Sequence, residues 1–258
     1  MPTTMPSVDS AQPQAPDATD RKAVVDWILR VCRAEALRQT TLFLAVQLVD
    51  RYLKAVPTPP PRQYTLLGAA AVLTAAKFEE PEPPAVESLV TVARAQFTAE
   101  QVLAMEMRLL VRLGFGLHKP TAAHHLAYVE LLDDNGRGRG NIACQLVHYL
   151  GELGLYCEGC ALWAPSSHGA AAAFLARRLC SGQELHREFG EFFAAAAPDG
   201  DYQESVCAIA AEIFRVAATD PEHRLAVHEL YGHRARKIVR SSCSAANVIL
   251  IKQFFNSC

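Results

Sequence analysis

The sequence predicts an all-α protein made of two tandem five-helix units, each built around a central apolar helix. Apolar residues recur with the period of an α-helix in several segments, and no segment alternates between apolar and polar residues as a half-buried strand does. Residues 66–80 begin with a stretch that is apolar on every side and dense in alanine, which is typical of a helix at the centre of a helical domain. The run GAAA at residues 68–71 returns about one hundred residues later, at 169–172, and indicates an internal repeat.

Changes in composition indicate the boundaries of these units. Residues 1–19 are rich in proline, serine, threonine and glutamine and have little apolar surface to bury, so we expect a disordered tail. The first unit then covers residues 20–118 and the second covers residues 119–258, with the Lys-Pro-Thr sequence at 119–121 as the joint. The run DDNGRGRG at 133–140 predicts a solvated loop inside the second unit.

The five helices of the first unit are predicted over residues 20–37, 40–53, 62–78, 84–95 and 98–113. Asp20 and either Thr40 or Thr41 have side chains that suit the N-caps of the first two helices. Pro84 suits the first turn of the fourth helix, where an N–H group is not needed.

The fifth helix has the clearest local signals. Thr98 and Gln101 form the pattern of a capping box, in which each side chain bonds the backbone N–H group of the other residue. Gly114 predicts the C-terminal stop of this helix. In the second unit, Asp201 with Glu204 repeats the capping pattern and predicts another helix start.

Composition restricts the classes of partner and compartment. A formal net charge of −2 and the lack of a basic run make nucleic acid an unexpected partner. No uncharged apolar run has the length of a transmembrane helix, and the N-terminus lacks the pattern of a signal peptide. The eight cysteines have no disulfide-framework spacing, so we expect reduced thiols in an intracellular protein.

Cys157 and Cys160 have a spacing that invites a metal or redox interpretation. Zinc requires four ligands, and no second pair stands at zinc-finger spacing, which leaves only His148 and His168 to assist. A thioredoxin-like motif requires a strand followed by a helix, which the pattern does not predict. We therefore expect two incidental cysteines, no metal and no cofactor, and an enzymatic function would depend on these thiols alone.

Five ordered motifs resemble those of the cyclin box, at the spacing of that family. They are residues 21–27 (RKAVVDW), 48–53 (LVDRYL), 67–80 (LGAAAVLTAAKFEE), 83–84 (PP) and 105–115 (MEMRLLVRLGF). The first unit is similar to the cyclin boxes of A- and B-type cyclins, and the remainder of the chain resembles a second box only in outline.

The resemblance implies a cyclin, a non-catalytic regulatory subunit that binds and activates a cyclin-dependent serine/threonine kinase in cell-cycle control. Such a protein would lie in the nucleus or the cytoplasm. The alternative is a cyclin-fold transcription factor or adaptor that binds other proteins. A basic DNA-facing surface or an N-terminal zinc ribbon would favour that alternative, and the sequence has neither.

Lys77 and Glu106 match family positions that contact the mobile helix of the kinase and the adjoining backbone. A flexible ammonium group can bond several exposed carbonyl groups, and a carboxylate can accept backbone N–H groups at the start of a partner helix. We expect both residues to be exposed in the free protein. The apolar anchors of the same interface are expected to be Phe78, Leu110, Leu113 and Phe115.

Arg21 and Asp50 match a family pair that is buried and structural. A bidentate salt bridge between the first and second helices would fix their crossing, and the loss of one partner would leave a buried charge.

Trp27 matches a family residue that lines a shallow groove for Arg-x-Leu peptides of substrates and inhibitors. The candidate groove residues are Ala23, Val24, Trp27 and Thr65. Ala23 replaces a larger aliphatic residue, and Arg30 stands at a commonly acidic position. Asp20 and Thr65 also depart from the family pattern. We therefore expect weak docking of a basic motif, with Trp27 packed mainly against the core.

Overall fold

The computed structural model describes residues 18–56, 62–132, 142–181, 200–219, 225–231 and 237–239. The regular elements within these ranges are helical, which confirms the predicted all-α class. Most of the predicted tail at 1–19 and the predicted loop at 133–140 lie outside the described residues. None of the described helices combines the length and the apolar character that crossing a bilayer requires.

Helices are present in both halves of the described chain. In order they are α1 (Ala18–Ala34), α2 (Gln39–Ala55), α3 (Arg62–Glu79), α4 (Val86–Val92), α5 (Ala99–Arg112), α6 (Ala122–Leu132), α7 (Ile142–Gly154), α8 (Pro165–Ser181), α9 (Gly200–Thr219) and α10 (Ala226–Leu230). A 3₁₀ helix at Glu158–Leu162 lies between α7 and α8. The five helices predicted for the first half are confirmed, with ends that lie within about three residues of the predicted ones.

Helices α1 and α2 begin earlier than the predicted caps. Asp20 lies in the first turn of α1, where its negative carboxylate interacts favourably with the positive end of the helix dipole. Arg38 takes the N-cap position of α2 in an extended conformation and makes no side-chain cap bond. Thr41 is fully buried inside α2, and its hydroxyl donates to the carboxylate of Glu80. This threonine therefore connects α2 to the end of α3 instead of capping a helix.

Two other predicted helix starts are displaced by one or two residues. Pro84 precedes α4, because the backbone of Ala85 is extended and forms the N-cap of that helix. Asp201 lies in the first turn of α9, which begins one residue earlier. In both cases the residue type suits a helix start, and the position is displaced by one or two residues, as is common at helix ends.

The capping box predicted at the start of α5 is confirmed. Thr98 Oγ1 accepts from the N–H group of Gln101 at 3.3 Å, and Gln101 Oε1 accepts from the N–H group of Thr98 at 2.9 Å. Gly114 follows the helix with a φ of 59°, a left-handed conformation that glycine adopts without strain. Phe115 has a φ of 56°, which is uncommon for a bulky residue.

Helix α3 lies at the centre of the first half and contacts α1, α2 and α5. The residues from Ala69 to Ala71 are fully buried, and their small side chains let these helices approach closely. Helix α8 has the corresponding position in the second half, where it contacts α6, α7 and α9. Gly169 on α8 has no room for a side chain, because a Cβ atom there would lie 2.6 Å from the Cβ atom of His125.

Polar contacts join α1 to the second half of the chain. Arg33 Nη2 lies 3.0 Å and 2.9 Å from the two carboxylate oxygens of the buried Glu152 on α7. Asp26 Oδ1 accepts from the hydroxyl of Tyr156 at 3.0 Å and from the N–H group of Ala226 at 2.7 Å. These partners are separated by 119 to 200 residues along the chain, and the sequence pattern did not predict them.

Candidate functional site

An ion pair joins the last turn of α3 to the middle of α5. Lys77 Nζ lies 2.9 Å from Oε1 and 2.8 Å from Oε2 of Glu106. Helices α3 and α5 pack side by side, so the end of one faces the middle of the other. The fold thus brings together the two charges that the resemblance assigns to one interface.

The two partners of this ion pair differ in exposure. The side chain of Lys77 is 48% exposed, whereas that of Glu106 is 8% exposed. Thr74 Oγ1, on the buried part of α3, lies 3.5 Å from Glu106 Oε1. The expectation that both charges are exposed is therefore wrong for Glu106, because this residue lies in the contact between α3 and α5. Lys77 compensates the buried carboxylate, which would be costly without a partner.

The four apolar residues expected at the interface have different environments. Phe78, which follows Lys77, is 48% exposed, and Phe115, beyond the end of α5, is 61% exposed. Leu110 and Leu113 are partly buried, and Leu113 packs against the core. The two phenylalanines therefore present more apolar surface to a partner than the two leucines do.

Helix α5 also exposes apolar residues that the sequence analysis did not select, namely Leu103 (42%), Met107 (54%) and Val111 (65%). They stand four residues apart and share one face of the helix. Leu103 and Met107 lie within one turn of Glu106, so this face runs beside the ion pair. The sequence contains two sets of apolar residues at helical spacing along α5, and only one set can face the core. The buried set consists of Val102, Met105 and Leu109.

These features define one surface at the end of α3 and along α5. The α3–α5 surface consists of Lys77, Phe78, Leu103, Met107 and Val111. It combines one half-exposed positive charge with apolar side chains from two helices.

Arg21 on α1 and Asp50 on α2 form a bidentate ion pair. Arg21 Nε donates to Oδ1 of Asp50 at 2.7 Å, and Nη2 donates to Oδ2 at 2.9 Å. Arg21 Nη1 donates to the carbonyl groups of Leu155 and Cys157, at 2.9 Å and 3.1 Å. Burial opposes the charge of Arg21, but the hydrogen bonds and charge of Asp50 raise its pKa overall. Arg21 therefore stays charged, and the pair connects α1, α2 and the segment after α7.

The candidate docking residues divide between the core and the surface. Trp27 packs against the core with its ring edge-on to Phe97, at a centroid separation of 6.5 Å. Val24 is 3% exposed and packs inward on the apolar face of α1, so it offers little surface to a docking groove. Ala23 is exposed and Thr65 is partly buried.

Comparison with known proteins connects this geometry to a family. Residues 2–118 match the family model described as the cyclin N-terminal domain. Cyclin-B1-3 of Arabidopsis thaliana is 34% identical over 161 residues, which cover 62% of this chain and 38% of that protein. Cyclin-A3-2 of Oryza sativa subsp. japonica is 35% identical over 161 residues, which cover 62% of this chain and 42% of that protein. The N-terminal part of the chain is therefore similar to the N-terminal domain of cyclins.

The cyclin fold extends beyond the part that the family model matches. A viral cyclin from herpesvirus saimiri is similar with a TM-score of 0.61 at 15% identity, over 92% of this chain and 90% of that chain. A chain of the yeast RNA polymerase II CTD kinase CTDK-1 complex is similar with a TM-score of 0.61 at 15% identity, over 88% of this chain and 76% of that chain. At these identities the likeness shows the fold alone. The match with the two plant cyclins spans only about two fifths of their lengths.

Cys157 and Cys160, which give the CxxC spacing, are neutral thiols near pH 7. Burial raises the pKa of Cys157, and burial together with the charge of Asp50 raises the pKa of Cys160 to about 12. His148 and His168 each have a hydrogen-bond partner on another part of the fold. The described ranges contain no group of three or more His, Cys, Asp or Glu residues that could hold a metal ion.

Proposed function

We propose that the chain is the regulatory subunit of a cyclin-dependent serine/threonine kinase, which it binds and activates in cell-cycle control. The observation that carries this proposal is the α3–α5 surface, in which a half-exposed ammonium group lies beside exposed apolar side chains from two helices. Exposed apolar patches with a polar component are typical of protein–protein contact sites. The similarity of residues 2–118 to the cyclin N-terminal domain supports a protein kinase as the partner.

The roles of the two charges differ in this proposal. Lys77 contacts the kinase, because an ammonium group has three donors and pairing with one carboxylate leaves capacity for a carbonyl group of the partner. Glu106 is too deeply buried to accept N–H groups from the kinase, so it acts by positioning Lys77. This assignment replaces the expectation that both residues contact the kinase directly.

The apolar part of the surface supplies most of the binding free energy in this proposal. Phe78 and Met107 present large side chains that lose contact with water when a partner helix covers them, and burial of such groups dominates protein–protein association. Leu110, Leu113 and Phe115 extend the same contact toward the end of α5. A kinase helix held in this way can present its glutamate to the lysine of the ATP site, which phosphoryl transfer requires.

The chain acts in this proposal without catalysis of its own. It activates by binding, so the purified chain alone is expected to transfer no phosphate, and the expected location is the nucleus or the cytoplasm. We further propose that the joint at residues 119–121 separates an N-terminal cyclin box at 20–118 from a second cyclin-fold domain. The grouping of helices around α3 and around α8 supports this division.

Docking of Arg-x-Leu peptides beside Trp27 is proposed to be weak. Arg30 Nε donates to Oδ2 of Asp26 at 2.9 Å, so the acidic group next to Trp27 is already paired with a base. Val24 offers no open surface. The arginine of a docking peptide would therefore meet a positive charge where a carboxylate would attract it.

The experiment that tests the main proposal is reconstitution with a partner kinase. Affinity capture on the immobilised chain, followed by mass spectrometry, identifies the bound kinase, and phosphorylation of a standard protein substrate measures activation. The double variant Phe78→Ala and Met107→Ala should lose more than tenfold in activation, because each truncation removes an exposed apolar contact worth about 1–2 kcal/mol. Its helical circular dichroism and thermal midpoint should match those of the wild type, since both side chains are exposed.

A matched control comes from an exposed leucine that is not on α3 or α5. Leu162 on the 3₁₀ helix is 80% exposed, and Leu162→Ala should activate as well as the wild type. Normal activation by the double variant would mean that the kinase binds elsewhere on the chain. Failure of the wild type to capture or activate any kinase would contradict the proposed function itself.

A further inference from the structure

A small cavity lies between the outer face of α2 and the segment that connects α7 to α8. Its volume is about 80 Å³. The polar residues that α2 contributes are Gln47, Asp50, Arg51 and Lys54. Their spacing of three, four and seven residues places them on one face of the helix. The opposite wall includes Ala161 and Trp163, so both halves of the fold form the cavity.

Two polar side-chain atoms at this cavity are buried and have no hydrogen-bond partner among the described residues. They are Arg51 Nη1 and Gln47 Oε1. The other end of the Gln47 amide is occupied, because Nε2 donates to the carbonyl group of Pro120 at 3.1 Å. Buried donors and acceptors are rarely left unpaired, since each costs free energy unless a ligand or an ordered water completes it. Both atoms belong to residues that line the cavity, so a small displacement of either side chain would bring an unpaired group to it.

The charge around the cavity is positive. Within the described ranges Arg51 has no carboxylate partner, and burial lowers its pKa without an opposing charge. Lys54 lies at the exposed rim and donates to the carbonyl group of Ala161, which occupies one of its three donors. Asp50 also lines the cavity, but Arg21 occupies both of its carboxylate oxygens. Two cations therefore face the cavity, and its carboxylate is already neutralised.

We propose that this cavity is an oxyanion site that binds one phosphate group. The guanidinium group of Arg51 can donate to two phosphate oxygens at once, and Lys54 adds a second positive charge. A phosphate group carries a charge of about −1.5 to −2 near neutral pH, which two cations balance better than they balance a single carboxylate. Gln47 Oε1 would accept from the hydroxyl group of hydrogenphosphate or from an N–H group next to a phosphorylated side chain.

The size of the cavity restricts the source of the phosphate group. The cavity is small, about 80 Å³, and it is partly open to solvent. A phosphate group fits within it, whereas a nucleoside joined to that phosphate would have to lie outside. Inorganic phosphate and a phosphorylated side chain share the chemistry that the site recognises. The inference does not depend on activation of a kinase by the α3–α5 surface.

Phosphate binding can be tested by thermal unfolding and calorimetry of the purified full-length chain. Inorganic phosphate that replaces chloride at constant ionic strength should raise the midpoint of the wild type and leave that of Arg51→Gln unchanged. In calorimetry Arg51→Gln should bind phosphate at least tenfold more weakly, because it removes a charge-assisted pair of hydrogen bonds. Arg108→Gln, which removes an exposed guanidinium group from α5, is the matched control and should bind as the wild type does.

The stability of the variant provides a second readout. In phosphate-free buffer, Arg51→Gln should unfold at the same midpoint as the wild type or at a higher one, because it removes a guanidinium nitrogen that is buried and unpaired. If Arg51→Gln does not fold, Lys54→Gln at the exposed rim gives the binding test, with a smaller but measurable loss of affinity.

Peptides distinguish the two sources of phosphate. A short peptide with one phosphoserine, compared with the same peptide carrying serine, should bind only in the phosphorylated form and should lose affinity in Arg51→Gln. Tighter binding of the phosphopeptide than of inorganic phosphate assigns the site to a partner protein, and binding of inorganic phosphate alone assigns it to the free ion. The proposal is overturned if phosphate leaves the wild type unchanged or if Arg51→Gln binds it equally well.

Discussion

Lys77 Nζ lies within 2.9 Å of both carboxylate oxygens of Glu106, and the two side chains meet at the contact between α3 and α5 with unequal exposure. The lysine is half-exposed and can return to water if its partner is lost. The glutamate is almost completely buried, so it cannot reach water if the lysine is lost. Loss of the lysine should therefore cost the fold more stability than loss of the glutamate.

This asymmetry predicts unequal effects of single substitutions on the free energy of unfolding. Lys77→Met should destabilise the fold by about 1–3 kcal/mol, because it leaves a buried carboxylate without a partner. Glu106→Gln should cost less than about 1 kcal/mol, because the freed ammonium group is solvated. The double variant should be more stable than Lys77→Met alone, as urea unfolding followed by circular dichroism would show. Equal losses for the two single variants would contradict the asymmetry.

The pair of Arg21 and Asp50 should behave as a buried unit. Asp50→Ala should destabilise the fold by about 3–5 kcal/mol, because it leaves a buried guanidinium group without its carboxylate. Arg21→Met should cost at least as much, since the carbonyl groups of Leu155 and Cys157 lose their donor as well. The double variant should lose less than the sum of the two single losses. Strictly additive losses in urea unfolding would show that the two residues act independently.

His168 predicts a loss of stability in mild acid. Burial lowers the pKa of His168 from 6.5 to about 4, against a hydrogen bond to the carbonyl group of Gly151 that raises it. The unfolded chain therefore takes up a proton on this imidazole near pH 6.5. The folded chain takes up the same proton only near pH 4. The free energy of unfolding should fall as the pH drops through this window, by about 3 kcal/mol from this residue.

His168→Gln is the variant that isolates this contribution, because an amide keeps a donor for the carbonyl group but does not titrate. Urea unfolding at several pH values should show a flatter pH dependence for His168→Gln than for the wild type. His118→Gln, at an exposed position, should leave the wild-type curve unchanged. A variant His168→Gln with the full wild-type slope would place the acid sensitivity elsewhere.

The thiols of Cys157 and Cys160 should react slowly in the folded chain. Burial raises both pKa values, and the thiolate is the form that reacts with alkylating agents. Limited iodoacetamide treatment followed by peptide mass spectrometry should label both residues faster in denaturant than in the native protein. Rapid native labelling of either residue would restore the enzymatic interpretation that rests on these cysteines.

Arg30 should control the affinity for Arg-x-Leu peptides. Arg30→Glu removes a positive charge beside Trp27 and adds a negative one, so peptide binding measured by titration calorimetry should strengthen. Arg30→Gln is the matched control and should give a smaller gain, because it removes repulsion without adding attraction. Tight binding by the unmodified chain would contradict the proposed weakness of the groove.

Local pattern was sufficient for part of the fold. The helical class, the five helices of the first half and the capping box of Thr98 and Gln101 were predictable, because each depends on residues within a few positions of one another. The cap proposed at Thr41 was wrong for a tertiary reason. Its hydroxyl bonds Glu80, which is 39 residues away along the chain and reaches it only through helix packing.

The sequence by itself determined which segments of the first half form helices, which alanine-rich helices lie at the two centres, and which family the motifs of the first half resemble. Only the tertiary structure decided that Glu106 is buried beneath Lys77 and that Leu103, Met107 and Val111 on α5 remain exposed. It also decided that Arg51 lines a cavity and has no carboxylate partner among the described residues. The physical reason is that helix formation depends on near neighbours in the chain. Burial and pairing depend on which distant helices supply the surrounding atoms, and the pattern of one helix does not contain that information.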